Sequence, residues 1–201
     1  MSAQDQSQLE VTNQIVSTLS SHLRYTLSDR DSVPLSEELD YLENYILLTK
    51  YRFPNTLSYE CEVDPDIRKA QVFPMILLTL TENSIKTGLI MGEPFLIRVK
   101  AYKQVENGET FVVLTHTDSG TGLSEEKLEK YNNIFDHPEV TEKGTGIGLY
   151  NTAMRLRLIM GANASLTFAN EEGMGLCVTI RFPYQKYLKP EEKTDESADR
   201  R

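Results

Sequence analysis

The sequence predicts an α+β chain in two layers: a mixed, mostly antiparallel sheet with helices on one face, preceded by an N-terminal helix. Three observations lead there. Apolar residues recur at helical spacing in some stretches and alternate with polar ones in others. The elements run helix, helix, strand, helix, two strands, helix, helix, two strands, rather than in the strict alternation of a parallel α/β sheet. Asn107-Gly108 and Glu172-Gly173 each lie between strand-like runs, so strands adjacent in sequence pair as hairpins.

Each element has a local reason. Residues 1–8 are polar and expected to fray. Over Leu9–Ser28, Val11, Ile15, Val16, Leu19, Leu23 and Leu27 fall on one helical stripe. Pro34 disfavours helix at Val33 and breaks that segment. A second helix is predicted over Leu35–Tyr51, with Leu39, Leu42, Ile46 and Leu48 apolar. Ser36 fits its N-cap, and Glu37 and Glu38 suit its positive start. After Phe53-Pro54-Asn55, the residues Leu57, Tyr59, Cys61 and Val63 alternate with Ser58, Glu60 and Glu62, a half-buried strand. Asp64-Pro65-Asp66 is a turn, and Phe73–Thr87 predicts a leucine-rich helix opening after Pro74. Strands follow at Phe95–Tyr102 and Thr110–Thr117, then a short helix from Ser124. Residues 132–146 form a loop long enough to act as a lid. Ile147–Met160 is a helix closed by Gly161, and Leu166–Ala169 and Leu176–Phe182 are the last strands. From Lys189 the chain is charged, poor in apolar residues and predicted to be disordered.

Composition narrows the function. A chain of 201 residues holds one domain with a sizeable core plus an appendage. Lys and Arg number 21 against 30 Asp and Glu, a net charge of −9, which argues against a general grip on nucleic acid or anionic membrane. No apolar run approaches the roughly 20 residues needed to cross a bilayer, and the N-terminus lacks a signal-peptide apolar block. Cys61 and Cys177 are too few and too far apart for a metal cluster or a disulfide scaffold. A reducing, cytoplasmic location is the simplest expectation.

Three clusters point to chemistry. In Glu82-Asn83-Ser84-Ile85-Lys86, Asn83 and Lys86 share a helix face. An amide oxygen suits a hard cation such as Mg²⁺, and the lysine suits a phosphate. In Asp118-Ser119-Gly120-Thr121-Gly122, a carboxylate at a strand end can accept from an amino group, and the glycines permit close approach. In Gly144-Thr145-Gly146-Ile147-Gly148-Leu149, a glycine loop opens a helix, where amides and dipole favour an anion. Taken singly, the first two clusters read more simply as a solvated helix end and an Asx-turn, and the third as a hinge or a weak anion-site signal.

Together, in this order and each at the end of a different element, the clusters resemble the N, G1 and G2 boxes of the GHKL ATPases (gyrase, heat-shock chaperone, histidine kinase and mismatch-repair types). The sequences Leu35-Ser36-Glu37-Glu38-Leu39, Tyr41-Leu42-Glu43-Asn44-Tyr45 and Lys50-Tyr51-Arg52-Phe53 narrow the resemblance to sensor histidine kinases of the LytS and YesM type. Leu23-Arg24-Tyr25, Asn151 and Arg155-Leu156-Arg157-Leu158 fit the same group.

That resemblance implies the Bergerat-type fold and an ATP-binding catalytic domain over residues 35–186, with a remnant of the dimerisation helix and a linker at 1–34 and a charged tail at 187–201. Asn83 would coordinate Mg²⁺ and Lys86 would touch phosphate. Asp118 would bind the adenine amino group, with Gly120 and Gly122 giving it room. Gly144, Thr145, Gly146, Ile147, Gly148 and Leu149 would form the phosphate loop beneath a lid. Glu82 stands where related enzymes place a general base or water organiser. The γ-phosphate would pass to a histidine on a dimerisation helix, then to a response regulator, in a full-length homodimer with no nucleic-acid partner.

The chain departs from the group's pattern at several places. Leu78-Thr79 replace a usual Gln-Pro, Thr87-Gly88 a His-Gly, and Leu176-Cys177 a Thr-Thr that in the family helps hold the adenine-binding aspartate. The acceptor motif Pro-His-Phe-Leu-Tyr/Phe-Asn is absent. His22 falls beyond the acceptor position, His116 reads as a packed strand residue, and His137 lies in the lid. The chain is therefore expected to be the C-terminal piece of a longer sensor, starting after its own acceptor. Two alternatives stay open: a non-catalytic binding module of the same fold, and another GHKL enzyme such as a serine kinase.

Overall fold

Period-two alternation and tight turns lay down the frame. The chain, described from a computed structural model over residues 16, 17, 20, 23, 25, 30–133 and 147–188, forms β1 (Val33–Pro34), α1 (Leu35–Arg52) and β2 (Leu57–Val63). A 3-10 turn (Pro65–Ile67), β3 (Gln71–Val72) and α2 (Ile76–Gly88) follow, then β4 (Phe95–Glu106) and β5 (Glu109–Asp118). The remaining elements are α3 (Glu125–Asn132), α4 (Ile147–Met160), β6 (Ser165–Asn170) and β7 (Leu176–Pro183).

Five strands form one mixed sheet in the order β2-β4-β5-β7-β6. Only β2 and β4 pair in parallel; the other neighbours are antiparallel. The hairpin β4–β5 turns at Asn107 and Gly108, both with positive φ (51° and 82°), as a type I′ connection requires. Both strands run longer than their alternation predicts, because pairing continues to Glu106 opposite Glu109.

One face of the sheet is apolar. Phe95, Ile97, Val99 and Ala101 of β4 are buried with Leu114 of β5, Val178 and Ile180 of β7, and Leu166 and Phe168 of β6. Against them pack α1, α2 and α4 through Leu39, Leu42, Leu77, Leu80, Ala153 and Leu156. The opposite face is mostly polar, apart from the buried Phe111 and Val113 of β5, and carries ion pairs such as Arg98 with Glu60. Burial of this one apolar layer, at roughly 25 cal/mol per Å², is what fixes helix positions over the sheet.

Two helix-start expectations are corrected. Ser36 does not cap α1. Pro34 holds the cap position without a side-chain bond, and the amides of Leu35 and Ser36 donate to the carbonyls of Ala70 and Arg68 at 2.8 and 2.9 Å, so no side-chain cap is needed. Glu38 lies in the first turn of α1, as expected. It is fully buried, because α1 turns that side toward α2. The start of α2 also shifts from Phe73 to Ile76, since Met75 takes a left-handed conformation with φ 70°. Cys61, expected on the half-buried side of β2, is exposed at the sheet's edge.

The described residues of the N-terminal stretch, Val16, Ser17, Ser20, Leu23 and Tyr25, are helical. The rest of that stripe, the loop from 134 to 146 and the tail from 189 lie outside the described residues. Among the described residues no helix is long and apolar enough to cross a membrane.

Candidate nucleotide site

Register explains how distant residues meet. Leu114, His116 and Asp118 are two apart on β5 and so share the helix-facing side. Thr81 and Ser84 are three apart on α2 and share its sheet-facing side. The two elements cross with these pairs in contact. Thr81 Oγ1 and His116 Nε2 lie 3.0 Å apart, and the Ser84 hydroxyl donates to Asp118 Oδ2 at 2.6 Å. Both rungs are buried, and burial lowers the His116 pKa to about 4, although the neighbouring Asp118 carboxylate pulls it upward.

Asp118 is 5% exposed and held from three directions. Besides Ser84, its Oδ1 accepts from the Gly120 amide at 2.9 Å and the Leu176 amide at 3.4 Å. A carboxylate offers about four acceptor positions, so capacity remains for an incoming amino group. Its own carbonyl accepts from Gly175 at 2.7 Å. Here Gly88, Gly120 and Gly175 come together. A Cβ on Gly175 would lie 2.5 Å from the Gly120 oxygen, so only glycine allows this backbone approach, and one on Gly88 would press on the Phe95 ring at 2.9 Å.

These residues floor a cavity of about 320 Å³. Asn83, Lys86, Asp118, Gly120, Gly122 and Leu149 line it, as the sequence motifs imply. Polar residues sit beside an apolar wall of Leu80, Phe168, Leu176 and Val178. Lys127 and Tyr131 of α3 also line it, and no sequence motif marked them. Asn83 carries a buried side-chain nitrogen without a hydrogen-bond partner. An unsatisfied buried amide is costly, and a ligand in the cavity would relieve it.

Not every predicted residue converges. Glu82 is exposed on α2 and is not among the cavity-lining residues. Its charge instead acts toward α1, where it adds to the upward shift that burial imposes on the phenols of Tyr41 and Tyr45. Gly148 and Leu149 lie in the first turn of α4, where amides are unpaired by the helix. Ile147 opens that helix, whereas Gly144, Thr145 and Gly146 fall outside the described residues, as do His22 and His137.

Two asparagines position the wall. Asn170 clasps the Leu123 backbone, accepting from its amide at 2.9 Å and donating to its carbonyl at 2.7 Å. Asn132 clasps Phe168 in the same way, at 2.7 and 2.9 Å. The second clasp also covers polar groups on the outer edge of β6.

Comparison with known proteins agrees with this geometry. Residues 71–186 match the family described as the histidine kinase-, DNA gyrase B-, and HSP90-like ATPases. The chain belongs to this ATPase family. Residues 1–57 match a histidine kinase family as well. Among curated relatives, the sensor protein LytS of Bacillus subtilis is 27% identical over 96% of this chain and 32% of its own length. LytS of Oceanobacillus iheyensis is 30% identical over 90% of this chain and 30% of its own length. The sensor histidine kinase YesM of Bacillus subtilis is 27% identical over 77% of this chain and 24% of its own length. The chain thus spans a third or less of the curated relatives it matches.

Solved structures share the fold of these ATPases. The catalytic domain of the histidine kinase ThkA superposes with TM-score 0.57 at 18% identity, over 76% of this chain and 95% of that one. The mycobacterial sensor histidine kinase MprB gives 0.52 at 20% identity, over 78% and 98%. ThkA in complex with the response regulator TrrA gives 0.55 at 15% identity, over 88% and 49%.

Proposed function

We propose that this chain is the ATP-binding catalytic part of a sensor histidine kinase of the LytS and YesM type. One observation carries the reading: Asn83, Lys86 and Asp118, from separate stretches of sequence, line a single cavity whose apolar wall suits a purine. In this reading Asp118 accepts from the adenine amino group, held for that purpose by Ser84 and the Gly120 amide. Lys86 and the first-turn amides of α4 neutralise phosphate charge. Glu82, next to Asn83 in sequence but outside the cavity lining, is the residue the resemblance offers as base or water organiser, and that role requires its side chain to turn toward the bound phosphates.

The site also fits Mg²⁺. Among the described residues no group of three or more His, Cys, Asp or Glu gathers to hold a metal. An ion here would be held by the Asn83 amide oxygen together with phosphate oxygens and water, the usual manner of Mg²⁺ beside a nucleotide. Bound there, it would offset charge on the transferred phosphoryl group. This chain's own contribution is positioning: base at Asp118, phosphates at Lys86 and α4, water held back by Leu80 and Leu176.

The acceptor is a histidine on a dimerisation helix, and the next recipient is a response regulator. The likeness to the solved regulator-bound kinase is consistent with that partner, and residues 1–57 match a histidine kinase family; a homodimeric full-length protein with this part on the cytoplasmic side completes the reading. Titration with an ATP analogue, with and without Mg²⁺, tests the reading. Saturable binding strengthened by Mg²⁺ is expected, and Asn83→Ala removes the Mg²⁺ response. No binding at millimolar nucleotide overturns it, as does an unchanged Mg²⁺ response for the Asn83 assignment. Transfer of labelled phosphate to a separate acceptor-helix protein tests the kinase step.

A further inference from the structure

The helix bearing Asn83 and Ser84 has no side-chain cap of its own. Its cap residue, Met75, sits at φ 70°, a strained conformation for a side chain with a Cβ. The cap is supplied from α1. Glu38, with 0% exposure, accepts from the amides of Met75 and Leu77, each at 2.9 Å. A carboxylate there answers both the unpaired amides and the positive helix end.

The same carboxylate has a second connection. The Tyr25 hydroxyl, from the N-terminal helix, donates to Glu38 Oε2, the oxygen that also takes the Met75 amide. Tyr25 is itself 7% exposed and stacks on Tyr41 of α1, with ring centroids 4.2 Å apart. Arg30 lies 5.9 Å over the Tyr25 ring and pairs with Glu37, next to Glu38. One buried carboxylate therefore joins three elements: the N-terminal helix, α1 and the start of α2. Burial pushes its pKa up, whereas the Tyr25 hydroxyl and the α2 amides oppose that rise.

We propose that Glu38 is a positioning residue for the nucleotide site, seating α2 and its Asn83 and Ser84 according to how the N-terminal helix is docked through Tyr25. The lever is short. The α2 helix runs unbroken from Ile76 to Gly88, so a change in the seat of its first turn carries to Asn83 and Ser84. With Tyr25 in place, both Glu38 oxygens are fixed and the α2 amides keep a preoriented acceptor. With Tyr25 withdrawn, the carboxylate loses a donor, its burial goes uncompensated and the strained cap at Met75 loosens. Nucleotide affinity and N-terminal helix docking thereby become linked, each favouring the other to the same degree. The proposal rests on the nucleotide reading for its ligand, though not for its mechanics.

The test uses the 201-residue chain. Tyr25→Phe deletes one hydroxyl and keeps the stack on Tyr41. Glu38→Gln keeps an acceptor and Glu38→Ala removes it. Two quantities are read: the Kd for an ATP analogue with Mg²⁺, and amide hydrogen exchange over residues 75–88. Tyr25→Phe should raise Kd roughly tenfold, the size of one hydrogen bond to a charged group, and should speed exchange in α2. Glu38→Ala should do both more strongly, and Glu38→Gln should recover part of the loss. Ile67→Val, a core change of similar stability cost away from the site, should leave Kd unmoved. If Tyr25→Phe and both Glu38 variants fold, bind as the unaltered chain does and exchange α2 at its rate, the proposal is wrong. If the unaltered chain binds no nucleotide, the functional reading fails on its own. The exchange of α2 in Tyr25→Phe then still decides whether Glu38 seats that helix.

Discussion

A serine hydroxyl does here what the resemblance assigns to a threonine on the last strand. That threonine's stretch holds Leu176-Cys177, yet Asp118 is not slack, because Ser84 donates to it from the opposite side and Leu176 contributes its backbone amide. Ser84→Ala should therefore destabilise the fold by about 1.5–3 kcal/mol and weaken adenine-nucleotide binding, measured by urea unfolding and by titration. His116 makes a second prediction. Its pKa is about 4 in the fold against about 6.5 unfolded, so the unfolded state binds the extra proton. Its stability contribution is complete above the unfolded value and is lost as pH falls from there toward 4. Between pH 7 and pH 5 the unaltered chain should lose about 2 kcal/mol more than His116→Gln does. Equal losses in the two proteins would refute the buried neutral histidine.

Elements were legible where their cause is local. Alternation gave β2 its observed bounds, Asn107-Gly108 gave the hairpin, and Ser124 caps α3 by accepting from the Lys127 amide. What escaped the sequence depends on partners far along the chain. The cap of α2 comes from Glu38, residues 37 and 39 positions away from the amides it accepts, and Ser84 meets Asp118 only once α2 crosses β5. Polar Thr81 and Ser84 on an otherwise apolar helix face were the available signal. The cleft's motif residues were legible because glycine and carboxylate chemistry is local; the clasps by Asn132 and Asn170 were not, since an exposed asparagine looks like any other. Glycine contacts between elements yield a third prediction. Gly175→Ala would place a methyl 2.5 Å from the Gly120 oxygen, so β7 and the Asp118 loop must separate. A loss of about 1–3 kcal/mol, with weaker nucleotide binding, should appear in thermal unfolding and titration.

At the scale of the molecule, the N-terminal helix leaves Val16 57% exposed while Tyr25 is buried against α1, so one segment both docks inward and presents an apolar side outward. Self-association through that side should make sedimentation depend on concentration, and Val16→Asp should restore the monomer. The sheet's single parallel pair has a different consequence, for the order in which the cleft is assembled. Antiparallel β4–β5 and β6–β7 can zip from nearby turns, but β2 reaches β4 only after residues 64–94 have looped back with α2 aboard. Asp118 ends a strand of an early hairpin, and Asn83 rides inside the long detour. Such distant closure is the slow kind. During refolding from denaturant, the ability to take up nucleotide should emerge with the last kinetic phase, after most of the sheet signal has already returned.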